Sequence, residues 1–347
     1  HRLIRRQRQM CIRDRLLLDN ISSFYKSSFL VNPAVYEKIF DKLQLQKTYG
    51  DCKELKVLDI YPGPGQQSLI FNEKFRPKQH LLMDDRPKFT KFWKNHLQSS
   101  HLQMSTLNPF DWESYLMLID YQKIFQPEKQ PRSHINDKFL VMANVTDKKY
   151  EGLIMQWYNC IGQKNWLQRY GRVKMLIWVP TSTAIKLLAK PGFKARSRAS
   201  LVAETFTESS LIAMTDDTEV KKMDPEVMQE HNPILINHND TVPNKKLKIP
   251  MALLSVSPRD FNVDKENWDY VTKQLMIQKI TPFKDSVESL GPGGKDYFIK
   301  QINSDEFMER SPGSFTAQEY IKLTDIFSKW PFKPDIFMSF FNPNQEE

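Results

Sequence analysis

Short apolar runs recur along the first half of the chain, separated by longer mixed segments whose apolar residues fall at helical spacing. "KVLDIY" (56–61) is followed by "QHLLMD" (79–84), "HLQMSTL" (101–107), "KFLVMANV" (138–145) and "RVKMLIWVP" (172–180). Between them lie stretches such as "YLMLIDYQKIF" and "EGLIMQWYNCIG". This alternation predicts a parallel sheet with helices on both faces, an α/β fold. "SLVAETFTESSLIAM" (200–214) reads as an antiparallel edge hairpin. Residues 215–248 are polar and carry Pro225, Pro233 and Pro243, which predicts an insertion or long surface connection. From Trp268 the pattern turns helical, broken by "SLGPGGK". The division expected is an α/β domain over 16–262 containing the 215–248 insertion, a helical C-terminal domain over 263–335, and a tail over 336–347.

Composition changes this picture little. Of the 347 residues, 40% are hydrophobic and 26% charged, which is ordinary for a globular chain able to bury a full core. No uninterrupted apolar run approaches the roughly 20 residues that span a bilayer, and no membrane contact is expected. Cys11, Cys52 and Cys160 form neither a zinc-type spacing nor a disulfide framework, which fits a reducing compartment. His80, His96, His101 and His134 are not in ligand-like spacing, so no metal is expected.

Charge needs dissection. Of the formal +9, residues 1–15 ("HRLIRRQRQMCIRDR") contribute +5, leaving +4 for the rest. That segment is Arg-rich and acid-poor in the manner of a mitochondrial presequence. "RQRQMCIRDR" also reads as translated adapter or assembly sequence, and on that reading residues 1–15 are set aside. The remainder is mildly basic, a weak argument for nucleic acid by itself.

The chemistry-bearing stretch is "KVLDIYPGPGQQS" (56–68). In a doubly wound sheet, ligands sit beyond the carboxyl ends of the strands, at the turn after the first strand. Gly63 and Gly65 permit close backbone approach, Asp59 ends the strand, and Asp84 lies about 20 residues beyond, where an acid can hold ribose hydroxyls.

With that loop, "FLVNPAVYEKIFDKL" (29–43) and "LLAKPGFKARSRASL" (187–201), the chain resembles the rRNA adenine dimethyltransferases, an S-adenosylmethionine-dependent family. The resemblance implies a Rossmann-like methyltransferase fold with a small helical C-terminal domain. It also implies a cofactor site at Leu30, Asp59, Gly63, Gly65, Asp84 and Asn108. Several positions depart from the family pattern. The Asn-Leu-Pro-Tyr type motif that holds the target amine and stacks the flipped adenine is here "NVTD", with Asn144 kept and Thr146 and Asp147 in place of Pro and the aromatic. Tyr61 replaces the first Gly of the loop, Ser27 and Ser28 replace a Gln and a polar residue, and Asn108 stands where an acid meets the cofactor's adenine. The expectation is a fold kept without catalysis and without a required cofactor.

A branch that fits these departures is the mitochondrial transcription factor B proteins, fungal type. The likeness is carried by "NDKFLVMANVT", "EGLIMQWYNCIGQKNWLQRYGRVKML", "NWDYVTKQLMIQK", "DSVESLGPGGKDYF" and "WPFKPDIFM". It implies a monomer of the mitochondrial matrix that partners the single-subunit mitochondrial RNA polymerase, helps melt promoter DNA and holds the opened non-template strand. The alternative is an active rRNA adenine dimethyltransferase using S-adenosylmethionine; a third reading is an RNA-binding assembly factor. Single strands are held by aromatic platforms and a cationic path. In "NPFDWESY" (108–115), Phe110 and Trp112 are the candidates for stacking, against the plainer alternative of packing on the next helix. In "KPGFKARSR", Lys190, Lys194, Arg196 and Arg198 are the candidates for phosphates, with Lys164, Arg169 and Arg172 as extensions. Tyr61 and Tyr150 would fill the old pocket. In the tail, Phe337, Phe340 and Phe341 are expected to dock on a cleft or the polymerase, with Glu346 and Glu347 disfavouring DNA.

Overall fold

The computed structural model describes residues 12–96, 102–243 and 247–336. The chain divides into two compact units, residues 1–188 with 206–260 and residues 189–205 with 261–347. The expected boundary near 262 therefore misses one exchange: 189–205, the "KPGFKARSR" loop and most of the following helix, groups with the helical C-terminal unit.

The first unit is built on a sheet whose strand order is β4-β3-β2-β5-β6-β10-β7-β8. The strands are β2 (Lys56–Ile60), β3 (Gln79–Met83), β4 (Leu102–Ser105), β5 (Ile135–Asn144), β6 (Arg172–Pro180), β7 (Thr207–Thr215), β8 (Ile234–Ile236) and β10 (Met251–Pro258). β4, β3, β2, β5 and β6 run parallel, with Asp59 level with Leu82 on one side and Met142 on the other. The almost continuous apolar character of β2, β5 and β6 follows from cover on both faces. β10 runs antiparallel between β6 and β7. The α/β expectation holds.

One sequence expectation fails. Residues 200–214 are not a hairpin: Arg198–Phe206 is a helix that leads into β7. Leu201, Val202, Thr205 and Phe206 are buried at helical spacing, and the polar "TES" that resembled a turn merely opens the strand. The antiparallel partner of β7 is β10, forty residues further on. Within 215–248, expected as an insertion or long surface connection, the described residues form regular elements. Asp217, Asp224 and Asn237 cap three short helices, β8 pairs β7 in parallel, and β9 (Thr241–Val242) pairs antiparallel with β1 (Phe29–Leu30). Capping by short polar side chains gives order that a hydrophobicity reading cannot see. The helix Ile12–Phe24 also takes in residues 12–15, which the sequence reading had set aside; Arg15 donates to the Asn239 carbonyl.

The apolar faces meet in two clusters. One joins Tyr36, Phe40, Phe71 and Phe75 to Val57, Met142 and Trp178. The other gathers Phe29, Leu82, Phe89, Phe92 and Trp93 with Leu18 and Val242. The second unit packs Trp268, Phe283, Phe298, Phe315, Tyr320, Phe327 and Trp330, all buried. Its last helix, Ala317–Ser328, begins with a reciprocal capping box of Thr316 and Glu319.

Candidate functional site

Adjacent strands β2 and β5 send their following loops in opposite directions, the topological switch point where doubly wound sheets hold ligands. The ends of β2, β3, β4 and β5 bring together Tyr61–Gly65, Asp84–Arg86, Asn108 and Asn144–Asp147. Asp59 and Leu30, expected at the cofactor, are buried beneath this edge. Asp59 accepts from Ser68 Oγ at 2.6 Å and lies 3.3 Å from His80 Nε2, so its carboxylate braces the helix Gln66–Phe75.

The loop keeps its turn, and the Phe29 ring packs against it. Gly63 has φ +61°, and a Cβ there would stand 2.1 Å from the Phe29 ring. The ring thus covers the face that glycine would leave open to a ligand. Tyr61 adopts φ +54°, a conformation costly for a residue with a Cβ. Its ring is buried, stacked on Tyr150 at 4.9 Å and 28°. Burial, reinforced by Tyr150 and Asp85, holds its phenol well above the usual tyrosine range, so it remains a donor. It donates to Asn108 Oδ1 at 3.3 Å.

Asp84, the candidate ribose acid, is fully buried and paired with Arg86. Arg86 Nε donates to Asp84 Oδ1 at 2.8 Å and Nη2 to Oδ2 at 2.6 Å. The same guanidinium donates to the Tyr61 carbonyl at 3.1 Å and to Ser27 Oγ at 3.3 Å. Rings of Phe89, Tyr61, Tyr25 and Phe29 surround it, with centroids 4.6–5.7 Å from its carbon. Burial alone would lower the Arg86 pKa, but Asp84 together with Tyr150 and Tyr61 outweighs it and the net shift is upward. Sequence reasoning missed Arg86, although an Arg two residues after the strand-end acid and just before a helix-opening Pro is the one local cue available.

The β5 motif is likewise engaged internally. Asn144 Nδ2 donates to the Ser28 carbonyl at 2.9 Å, and its Oδ1 accepts from Thr146 Oγ1 at 2.9 Å. Thr146 Oγ1 in turn accepts the Ser28 N–H at 2.8 Å. Asp147 caps the short helix Lys148–Tyr150.

Phe110 and Trp112 stand at the surface, 50% and 38% exposed. Asn108 Oδ1 accepts the Phe110 N–H at 3.0 Å, and Asp111 caps the helix Trp112–Leu116. Phe110 leans on Tyr150, 6.4 Å between ring centres. Trp112 meets Trp166 edge-on at 5.7 Å, and Trp166 stacks on Trp157 at 5.4 Å and 8°. Trp112, Tyr115, Trp166 and Arg169 help line a cavity of about 480 Å³, with Gln156 and Asn159 amides in its wall. Burial pushes the Cys160 thiol there up to about 12, so it stays protonated at neutral pH. Trp166, another residue missed from sequence, holds φ +50° at this cavity.

The expected cationic loop is only partly available. Arg196 is 2% exposed; it donates to the carbonyls of Ala189 and Phe315 at 2.9 Å each and pairs with Glu204. Its assignment to phosphates is corrected to a strut of the second unit. Arg198 pairs with Asp269 at 2.5 Å and remains partly exposed. Lys194 is exposed and Lys190 half-buried. In the first unit, Arg172 donates to the Pro258 carbonyl at 2.8 Å, Arg169 pairs with Asp120, and Lys164 ends the helix Glu151–Gln163. No group of three metal-ligating side chains occurs among the described residues. Cys11, His101, the His96 side chain and the tail residues Phe337, Phe340, Phe341, Glu346 and Glu347 lie outside the described residues.

The profile of the family described as ribosomal RNA adenine dimethylase matches residues 18–325. The chain belongs to that family. Among family relatives, it is 48% identical over 330 residues to "Mitochondrial transcription factor 1" of Saccharomyces paradoxus, covering 95% of this chain and 96% of that protein. It is 46% identical to the protein of the same name from Lachancea kluyveri, covering 94% and 96%. Among solved structures, a dimethyladenosine transferase from Plasmodium falciparum shares the fold with a TM-score of 0.56 at 14% identity, covering 87% of this chain and 98% of that one.

Proposed function

We propose that the protein is a mitochondrial transcription initiation factor on a methyltransferase scaffold, acting with the single-subunit mitochondrial RNA polymerase in the matrix. It assists promoter melting and holds the opened non-template strand. The observation that carries this reading is the likeness, along nearly the whole chain, to proteins named mitochondrial transcription factor 1. The geometry supports it from the other side. An adenosyl cofactor needs a free acid for its ribose and open glycine backbone. Here Asp84 is held by Arg86, and Phe29 lies against Gly63. Asn144, the residue that would orient a target amine, bonds the chain's own Ser28. On this reading S-adenosylmethionine is not required.

Phe110 and Trp112 are the platforms for unpaired bases, with the cavity beside Trp112 able to receive a flat ring. Unstacking a base step costs a few kcal/mol, and capture on aromatic faces offsets it. Lys190, Lys194 and Arg198 serve phosphates in the second unit. Run-off transcription from a linear duplex promoter tests the proposal: initiation should depend on the protein and be indifferent to S-adenosylmethionine. Methyl transfer to an rRNA hairpin, with no effect on initiation, would overturn it.

Within the second unit two substitutions separate support from contact. Lys194→Ala should weaken binding to promoter DNA uniformly and lower the salt slope by about 1. Arg196→Ala should instead destabilise the fold by roughly 2–3 kcal/mol, since it leaves two carbonyls and one oxygen of Glu204 without their donor. Salt titrations of DNA binding and urea unfolding read the two effects.

A further inference from the structure

The exposed Phe110 ring is the outermost member of a row of neighbouring rings that begins at a buried cation, Tyr61 and Tyr150 stacked and Phe110 tilted by 41° against Tyr150. From inside outward, the Arg86 guanidinium lies 4.9 Å from the Tyr61 ring centre. Tyr61 stacks on Tyr150 at 4.9 Å, and Tyr150 supports Phe110 at 6.4 Å. A second line runs beside it through hydrogen bonds. Arg86 donates to the Tyr61 carbonyl, the Tyr61 O–H donates to Asn108 Oδ1, and that same oxygen accepts the Phe110 N–H. The Tyr115 O–H closes the turn by donating to the Pro109 carbonyl at 2.8 Å. Phe110 is thus fixed through its ring and through its backbone by one set of residues.

We propose that the side chains filling the crevice form a pedestal for Phe110, with Arg86, Tyr61 and Asn108 as positioning residues for its capture of an unpaired base. This rests on the reading of Phe110 as a base platform. The physical reason is preorganisation: a ring already held in its binding orientation loses little freedom when a base stacks on it. The positive φ of Tyr61 fits the same account. A strained, buried tyrosine persists where neighbours over-determine it, and Arg86 and Asn108 grip its two ends. Tyr61 supplies what a glycine at this position cannot, a phenol reaching the turn that carries Phe110. Asn108 likewise serves in its neutral form, one oxygen accepting two donors from the chain itself.

The test is a double-mutant cycle on the full-length protein. The probe is a promoter duplex with a non-complementary bubble at the start site and 2-aminopurine in its unpaired non-template strand, read by anisotropy and by fluorescence quenching. Tyr61→Phe keeps the ring and removes the O–H that donates to Asn108 and also lies within hydrogen-bonding reach of the Tyr150 side chain. It should weaken binding by about two- to tenfold, the worth of one hydrogen bond, and reduce quenching. In a Phe110→Ala background, Tyr61→Phe should change nothing further. Asn108→Ala, at an exposed position, should reproduce the loss and the same non-additivity, so a Tyr61 variant that failed to fold would leave the test intact. If Phe110→Ala weakens binding but the Tyr61 and Asn108 variants do not, or act equally without Phe110, the pedestal is wrong and the platform stands. If Phe110→Ala itself has no effect, both fall.

Discussion

Replacing Arg86 by Met should lower the unfolding free energy by about 3–5 kcal/mol, the cost of breaking a buried ion pair from one side. Asp84 is fully buried, and both its oxygens receive a guanidinium N–H. Without Arg86, that carboxylate has to be desolvated alone or protonate, and the Tyr61 carbonyl and Ser27 hydroxyl lose a donor as well. The contribution of the surrounding rings adds to the loss. Urea unfolding should show a lower midpoint with an unchanged slope. Removing the charge on both sides, in an Arg86→Met and Asp84→Asn double variant, should recover much of the difference, because no lone charge remains buried. A single-variant loss below about 1 kcal/mol, the size of an exposed pair, would mean that water reaches Asp84 and that the crevice is open.

Replacing Trp112 by Ala should reduce occupancy of the open promoter complex by about five- to 150-fold, from stacking of about 1–3 kcal/mol per base. The indole is 38% exposed and already oriented edge-on against Trp166. Its truncation removes a platform and half-dismantles one wall of the adjoining cavity, while the fold below, where Trp157 stacks on Trp166, is kept. Trp112→Phe, which retains a smaller face, should fall between. The effect should vanish on thermal unfolding curves, which separates capture from stability. Equal open-complex formation by wild type and Trp112→Ala would show that the indole only packs on its neighbours.

How far the sequence led is clearest residue by residue. The parallel strands were readable because β2, β5 and β6 are short apolar runs bounded by polar breaks, a signal that depends only on burial. For Phe110 and Trp112 the sequence left two choices, stacking on bases or packing on the next helix; the structure leaves them 50% and 38% exposed, which burial in three dimensions decides and the local turn does not. Arg86 was not, because its role depends on meeting Asp84, Tyr61 and Ser27 in space, and the residue types around it look like any helix start. The cationic loop was misjudged for the opposite reason. Charge density is visible in "KPGFKARSR", but Arg196 turns inward to carbonyls at 189 and 315, and the latter is more than a hundred residues away. The described residues of the polar 215–248 segment hid their order in the same manner, in caps and short pairings rather than in apolar periodicity.

The central proposal is that this scaffold helps to open promoter DNA. It is tested most directly by 2-aminopurine placed in the non-template strand at the start site, on a linear duplex promoter and on the same promoter pre-melted there. With polymerase present, the account predicts that the protein raises fluorescence on the duplex and that initiation on the pre-melted template scarcely needs it. Equal dependence on the protein for both templates, with no fluorescence change on the duplex, would contradict it.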